Sequence, residues 1–239
     1  MRMANRYSSR LISDIANNVW ANLDPPSLML GISPLYEMIS SYPIRTIEIN
    51  GLTFQSAAGF LTSETGQVIP IPQEDNQPLA GFLFIQRYRE TFYGCILVEQ
   101  TDPIVRRRFS AAHELGHYLL HFLPVLESQP SDVDLILAEG LAYSKDSTED
   151  LPTGKLAIIE SPDENVQFNF IGDEVGEREA NRFAAELLVP EETCKLIYQS
   201  FSQKYGPKQL VLTKRLATEF LVSTEAMKWR LITLKLQKS

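Results

Sequence analysis

Apolar residues recur at helical spacing at the start of the chain and at alternating spacing further on. From Arg6 to Leu23 they fall every three or four residues, which predicts an amphipathic helix that ends before Asp24. A short helix is predicted at 34–40. The period then changes to two, and glycines and prolines separate the apolar runs. This alternation predicts strands at 44–49, 54–61, 68–71, 79–86 and 93–98.

A longer helix is predicted at 103–123, with Asp102 as its N-cap, Pro103 in its first turn and Pro124 as its end. Residues 124–172 have no sustained periodicity and carry ten acidic residues against two basic ones. We interpret them as an acidic connector that is either a functional lid or partly disordered. Helical spacing resumes after it. We therefore expect an α+β fold, in which a small, mostly antiparallel sheet packs against the long helix and a helical C-terminal half.

Composition narrows the class of protein. The 239 residues are 44% hydrophobic and 22% charged, which is typical of a soluble globular protein. The net charge of -8 argues against a general binder of polyanions. The sequence shows no signal peptide and no apolar stretch of the ~20 residues that a membrane helix needs, so we expect a cytoplasmic protein without a membrane partner.

All 3 histidines of the chain lie between positions 113 and 121. His113, Glu114 and His117 form an HExxH motif on the apolar face of the predicted helix. Two imidazoles four residues apart project from one face and can share a zinc ion, Zn²⁺. Glu114 lies about 100° around the helix from His113, where it can accept a proton from water instead of binding the metal.

His121 is not expected to be a ligand, because it lies about 12 Å along a continuous helix from His113. A packing role or a contact around the site is expected instead. The third ligand must then be a carboxylate or a thiolate. Glu177 is the predicted ligand, because it lies closer than Glu179 to the apolar face of the next helix; Glu179 is the alternative. Asn181, four residues after Glu177, could hydrogen-bond a ligand histidine. A solvated, glutamate-rich helix start remains the other interpretation of this stretch.

Three further residues are candidates for roles at the metal site. Tyr118 and Arg182 are candidate donors to a developing oxyanion. Cys95, at the end of a predicted strand, could block the metal as a thiolate and so act as a latency switch; the other interpretation is a buried thiol.

Three blocks carry a family resemblance: RRRFSAAHELGHYLLH, EREANRFAAELLVP and LATEFLVSTEAMKWRL. Together they resemble the ImmA/IrrE family of bacterial and phage zinc metallopeptidases, over roughly residues 103–236. The resemblance implies a gluzincin-like site within a metallopeptidase domain at 1–198. It also implies cleavage of a helix-turn-helix repressor, which would switch on a stress, mobile-element or defence operon. The long acidic connector and the β-rich segment before the motif depart from the family pattern.

The segment 199–239 is basic, with eight basic and two acidic residues, and its two predicted helices resemble a helix-turn-helix. It could contact DNA, dock the repressor or complete the peptidase core.

A zinc-dependent, site-specific endopeptidase with DNA as a conceivable activator is the expected function. The alternative is a DNA-binding or sensor protein with a structural or inactive zinc site. The candidate contacts to nucleic acid or a partner are Lys214, Arg215, Lys228 and Arg230.

Overall fold

The structure is a computed structural model that describes residues 7–23, 31–66, 68–69, 76–88, 91–129, 134–142, 167–170 and 174–237. These ranges contain helices α1 to α9, a π-helical turn and strands β1 to β5. In chain order the elements are α1 (Ser9–Ala21), α2 (Leu35–Ser40), β1 (Arg45–Ile49), α3 (Phe54–Thr65), β2 (Leu79–Tyr88), β3 (Thr91–Glu99), α4 (Ile104–His117), the π-helical turn (Tyr118–Phe122), α5 (Leu123–Ser128), β4 (Leu135–Ala142), β5 (Gln167–Phe170), α6 (Glu174–Leu188), α7 (Glu191–Tyr205), α8 (Gln209–Phe220) and α9 (Thr224–Thr233).

The five strands form one sheet in the order β1-β3-β2-β4-β5. The central strand β2 pairs antiparallel with both β3 and β4. The outer strands β1 and β5 pair parallel with their neighbours. The predicted α+β class is confirmed, and the sheet is mixed, with an antiparallel centre and parallel edges. Within the described ranges, no helix is both long and apolar enough to cross a membrane.

The strand predicted at 54–61 is wrong, since these residues belong to α3. Thr53 caps the helix: its side chain accepts a hydrogen bond from the Ser56 backbone, and the Ser56 side chain accepts one from the Thr53 backbone. Phe54, Ala57 and Leu61 are buried at helical spacing. Residues 68 and 69 are not in a strand either, and 70–71 lie outside the described residues.

The interpretation of 124–172 as an acidic connector, either a lid or partly disordered, is wrong for part of the segment. The segment contains most of α5 and all of β4 and β5. Residues 135–140 are buried throughout, because the sheet is covered on both faces there. A strand that is buried on both faces appears in the sequence as a short apolar run, so the two-residue period of a strand is not visible there. Residues 143–166 of the connector lie outside the described residues.

The two faces of the sheet pack against different helices. One face, with Phe84 and Leu97, contributes to a core with α3. The other face, with Leu83 and Ile96, contributes to a larger core that includes α1, α4 and α6. Helix α4 therefore lies between the sheet and α6, and this layer holds the HExxH motif.

The C-terminal helices contribute to the larger core. Leu216, Phe220, Met227 and Leu231 are fully buried, in the same cluster as side chains of α4 and α6. The boundary predicted between residues 198 and 199 falls inside α7. The predicted pair of helices is present, and Ser223 caps α9 by accepting a hydrogen bond from the Ala226 backbone. This packing favours the interpretation in which these helices complete the core.

Candidate metal centre

The HExxH motif occupies the last turns of α4. The predicted cap and end of this helix are wrong. Pro103 is the N-cap residue and makes no side-chain cap bond, while Asp102 forms an ion pair with Arg106 at 3.5 Å. Pro124 lies in the first turn of α5, where a missing N–H is tolerated, so the helical path continues through the π-helical turn to Ser128. The π-helical turn begins immediately after His117.

Two glycines allow close packing around the motif. A Cβ on Gly116 would lie 2.9 Å from Cδ1 of Phe183 and 3.2 Å from Cα of Ala180, so α4 and α6 approach closely at this point. A Cβ on Gly81 of β2 would lie 2.6 Å from Oε1 of Glu114. The first glycine brings α6 against the histidines, and the second leaves room on the sheet for the Glu114 carboxylate.

Three side chains converge between α4 and α6. The Nε2 atoms of His113 and His117 are 2.8 Å apart. The carboxylate of Glu177 has Oε1 at 3.3 Å from Nε2 of His117 and Oε2 at 3.5 Å from Nε2 of His113. Two ligands of a tetrahedral zinc ion, each about 2.0–2.1 Å from the metal, are about 3.3 Å apart. Among the described residues, this is the only group of three or more His, Cys, Asp or Glu with the spacing of a metal site.

The other ring nitrogen of each histidine has its own polar neighbour. Nδ1 of His113 is 3.0 Å from Oδ1 of Asn181, the contact expected from the sequence. Nδ1 of His117 is 2.6 Å from Oε2 of Glu139, which belongs to β4. When these oxygens accept the Nδ1 protons, both Nε2 lone pairs are left for a metal ion.

Glu114 is fully buried, and neither of its carboxylate oxygens has a hydrogen-bond partner among the described residues. Burial raises its pKa well above the usual range; Glu139 and Glu177 raise it further, and His117 opposes them. An unpartnered buried carboxylate destabilises a fold unless a cation or water is nearby. The donor set and this orphaned carboxylate together fit a bound divalent metal.

The electrostatics of the cluster fit the same conclusion. Burial lowers the pKa of His113, whereas Glu139 and Glu177 outweigh burial and raise that of His117. Burial raises the pKa of Glu139 to about 8, although His117 opposes it. Burial also acts to raise the pKa of Glu177, but its contacts with His113 and His117 bring it well below the usual range. Without a cation, the cluster thus disfavours the charged forms of Glu114 and Glu139, and a bound divalent cation would stabilise them.

A sequence model of the IrrE N-terminal-like domain family, Peptidase_M78, matches residues 70–132 and 156–231, more than half of the chain. The chain belongs to this peptidase family. No curated protein matches it, and no solved structure does. Both the HExxH motif and Glu177 lie within the matched segments.

In this family member, His121 and Glu179 lie beside the three converging residues and not among them. Nδ1 of His121 is 3.0 Å from Nδ1 of His117, and its Nε2 is 3.2 Å from Oε2 of Glu179. Oε1 of Glu179 accepts a hydrogen bond from the Tyr7 backbone at 2.8 Å. Both carboxylate oxygens of Glu179, the alternative ligand, therefore have partners outside the three converging residues: the Tyr7 backbone, just before α1, and His121.

Cys95 is not part of the cluster, and its position fits the buried thiol better than the latency switch. Its side chain lies in the core on the α3 face of the sheet, because successive residues of a strand point to opposite faces. Burial raises the pKa of the thiol to about 12, so it is not a thiolate at neutral pH.

The two candidate oxyanion donors make contacts elsewhere in the family domain. Tyr118 packs edge-on against Tyr42, with ring centroids 6.0 Å apart. The guanidinium of Arg182 pairs with Glu186 at 3.6 Å. Neither contact joins the side chain to the three converging residues.

Glu139 was not predicted as a site residue, because in the sequence it is only one of the ten acidic residues of the connector. Leu135 and Leu137 lie on the α4 face of β4, so Glu139 follows them on that face at a period of two. The sequence alone does not show this period, because Ile136 and Ala138 on the other face are apolar as well. Glu139 also lies between the two segments that match the family model.

The four basic residues singled out in the C-terminal segment differ in exposure. Lys214 and Arg215 are exposed on α8, and the Arg215 guanidinium lies 3.8 Å from the centre of the Tyr205 ring. Lys228 is exposed and pairs with Glu225 at 3.6 Å. Arg230 is wrong as a candidate contact, because it is buried and donates hydrogen bonds to Glu186 at 2.5 Å and to the Val189 carbonyl at 2.9 Å.

Proposed function

We propose that the protein is a zinc-dependent, site-specific endopeptidase. The observation that carries this proposal is the convergence of His113, His117 and Glu177 beside the buried Glu114, for which the described part of the chain offers no hydrogen-bond partner. Two histidines and one glutamate, with a separate carboxylate nearby, are the residues of metallopeptidase sites that leave one metal position open. Membership of a peptidase family supports the same activity.

His113, His117 and Glu177 would hold the metal. Zinc bound there supplies Lewis acidity, which polarises a peptide carbonyl and lowers the pKa of water. Glu114 would take a proton from the attacking water and return it to the leaving amine. Because neither carboxylate oxygen has a hydrogen-bond partner among the described residues, no other side chain there competes for that proton. Asn181 holds His113 in a fixed orientation from the opposite ring nitrogen.

We infer that the substrate is a helix-turn-helix repressor whose cleavage derepresses a stress, mobile-element or defence operon in the cytoplasm. The support for this substrate is the resemblance of the three sequence blocks to the ImmA/IrrE family. DNA is proposed as an activator at most, through the exposed Lys214, Arg215 and Lys228. The buried ion pair of Arg230 leaves fewer cations for that role than the sequence suggested.

The test of the activity is Glu114→Gln. The purified variant is incubated with zinc and with the helix-turn-helix protein encoded nearest to its gene. We expect the variant to retain zinc and to cleave about 10²–10⁴-fold more slowly, because a general acid–base contributes that factor. Glu127→Gln, an exposed glutamate of α5, is the control and should cleave as the native protein does. Undiminished cleavage by Glu114→Gln would contradict the proposal.

The alternative, a DNA-binding protein with an inactive zinc site, makes a different prediction. If the alternative is correct, the native protein should bind duplex DNA. The triple variant Lys214→Ala, Arg215→Ala, Lys228→Ala should lose that binding. Cleavage by the native protein with no DNA affinity would favour the peptidase. DNA affinity without cleavage of any neighbouring repressor would favour the alternative.

A further inference from the structure

Glu139 has no role in the function proposed above, yet it is buried against the metal centre. Glu139 is 3% exposed, and in the pairing of β4 with β2 it lies opposite Leu83. Charged residues are almost never buried so completely unless they are paired. Its strand, β4, lies between the two family-matched segments, so the match does not account for this carboxylate.

The partner of Glu139 is a predicted metal ligand. Its Oε2 lies 2.6 Å from Nδ1 of His117, an ion-pair contact that lacks the geometry of a hydrogen bond, while Nε2 of the same ring faces Glu177 at 3.3 Å. The imidazole therefore has a carboxylate on each side. A carboxylate that accepts the Nδ1 proton fixes the tautomer in which Nε2 carries the lone pair. It also increases the basicity of Nε2, and so its strength as a metal ligand.

The two predicted ligand histidines are held by different groups. His113 has a neutral amide at its Nδ1, from Asn181 of α6, whereas His117 has a carboxylate, from β4. His121 also lies 3.0 Å from Nδ1 of His117, on the same side as Glu139. That contact already has hydrogen-bond geometry, so His121 and Glu139 compete for the same ring nitrogen. Without the carboxylate, the imidazole can also adopt the tautomer that carries its proton on Nε2. Of these neighbours, only the Glu139 carboxylate has a negative charge, which favours the tautomer of His117 that carries its proton on Nδ1.

We propose that Glu139 is a positioning residue that orients His117 for metal binding and fixes its tautomer. This inference rests on the proposed metal site and adds the sheet to the elements that build it. Helix α4 supplies the two histidines, α6 supplies Glu177 and Asn181, and β4 supplies the carboxylate behind His117.

The experiment measures the affinity of the full-length protein for Zn²⁺ and Co²⁺, by competition with a chromophoric chelator. Glu139→Ala should bind both metals about 10–100-fold more weakly, the usual effect of removing such an outer partner. Glu139→Gln keeps an oxygen that accepts the Nδ1 proton but loses the charge, so its loss should be smaller. The visible absorption of bound Co²⁺ should shift in Glu139→Ala, because the ligand field at His117 changes.

Two controls separate positioning from folding. Glu127→Gln removes an exposed carboxylate of α5 and should bind metal with native affinity. Circular dichroism and thermal melting without metal report whether each variant folds. If Glu139→Ala does not fold, Glu139→Gln, which has nearly the same volume, decides the question by its affinity and its Co²⁺ spectrum.

Native affinity and a native Co²⁺ spectrum in the folded Glu139 variants would overturn the inference and leave the proposed peptidase intact. Failure of the native protein to bind either metal would overturn the proposed function, and this inference with it. Weaker binding by Glu139→Ala, with a smaller loss in Glu139→Gln, would support both.

Discussion

Three carboxylates, Glu114, Glu139 and Glu177, contact or face the same pair of histidines between α4, β4 and α6. Removing carboxylates from water is costly, and each one raises the pKa of its neighbours. These residues therefore oppose folding unless positive charge lies among them. A divalent metal held by His113 and His117 would supply that charge, which links stability of the fold to occupancy of the site.

Gly116 is the residue on which the approach of α4 to α6 depends. Gly116→Ala places a methyl group 2.9 Å from Phe183 and 3.2 Å from the Ala180 backbone, so the helices must separate. We expect the free energy of unfolding to fall by about 1–3 kcal/mol, the usual cost of overpacking. Metal affinity should fall as well, because Glu177 moves away with α6. Urea unfolding and chelator competition measure the two effects.

Gly59→Ala is the matched control for that prediction. Gly59 is an exposed position of α3, and an added Cβ would meet nothing within 4 Å. Alanine is the better helix former, so this variant should be more stable than the native protein by about 0.5–1 kcal/mol. Gly116→Ala with native stability and native metal affinity would show that the two helices have more freedom than the structure indicates.

At the scale of elements, the helical part of the site was predictable and the strand part was not. HExxH and the Glu177 helix follow one period, 3.6 residues. Because no histidine lies outside 113–121, the third ligand had to be a carboxylate or a thiolate. Glu139 could not be placed in the same way, because its distance to His117 depends on which strands pair. Strand pairing is a non-local property, and β4 carries apolar residues on both of its faces.

The error at α3 has a different physical cause. Its apolar residues fit both periods over a short run, so the alternation alone predicted a strand. The reciprocal hydrogen bonds of Thr53 and Ser56 favour the helix, since they satisfy backbone groups that would otherwise be unpaired at its start. Capping residues were therefore the better signal in a segment where periodicity was ambiguous.

The position of Cys95 on the α3 face of the sheet leads to a prediction about thiol chemistry. Burial raises the pKa of Cys95 to about 12 and that of Cys194 to about 11, so neither thiol should react with Ellman's reagent at pH 8 in the folded protein. Both should react after unfolding in urea. Cys95→Ala should retain native zinc affinity. Rapid native-state labelling of Cys95, with a matching change in metal binding, would restore the latency switch.

At the scale of the whole molecule, segregation of charge along the chain does not make every basic C-terminal residue a surface contact. The basic segment contributes Arg230 to the interior, where it pairs with Glu186 of α6 and binds the end of that helix through the Val189 carbonyl. Leu216, Met227 and Leu231 of the same segment lie in the core shared with α4. The C-terminal helices thus stabilise the layer that carries Glu177.

Arg230→Ala tests that conclusion, because it leaves Glu186 buried with less compensating charge. Loss of one partner of a buried ion pair costs about 3–5 kcal/mol, so we expect the free energy of unfolding to fall by that amount. Lys228→Ala removes an exposed cation two residues earlier and should cost about 0–1 kcal/mol. Replacing both partners, in Arg230→Met with Glu186→Leu, should recover most of the loss, since no buried charge remains. If Arg230→Ala instead unfolds like Lys228→Ala, the C-terminal helices do not depend on this pair, and a role for Arg230 in binding a partner becomes the better explanation of its charge.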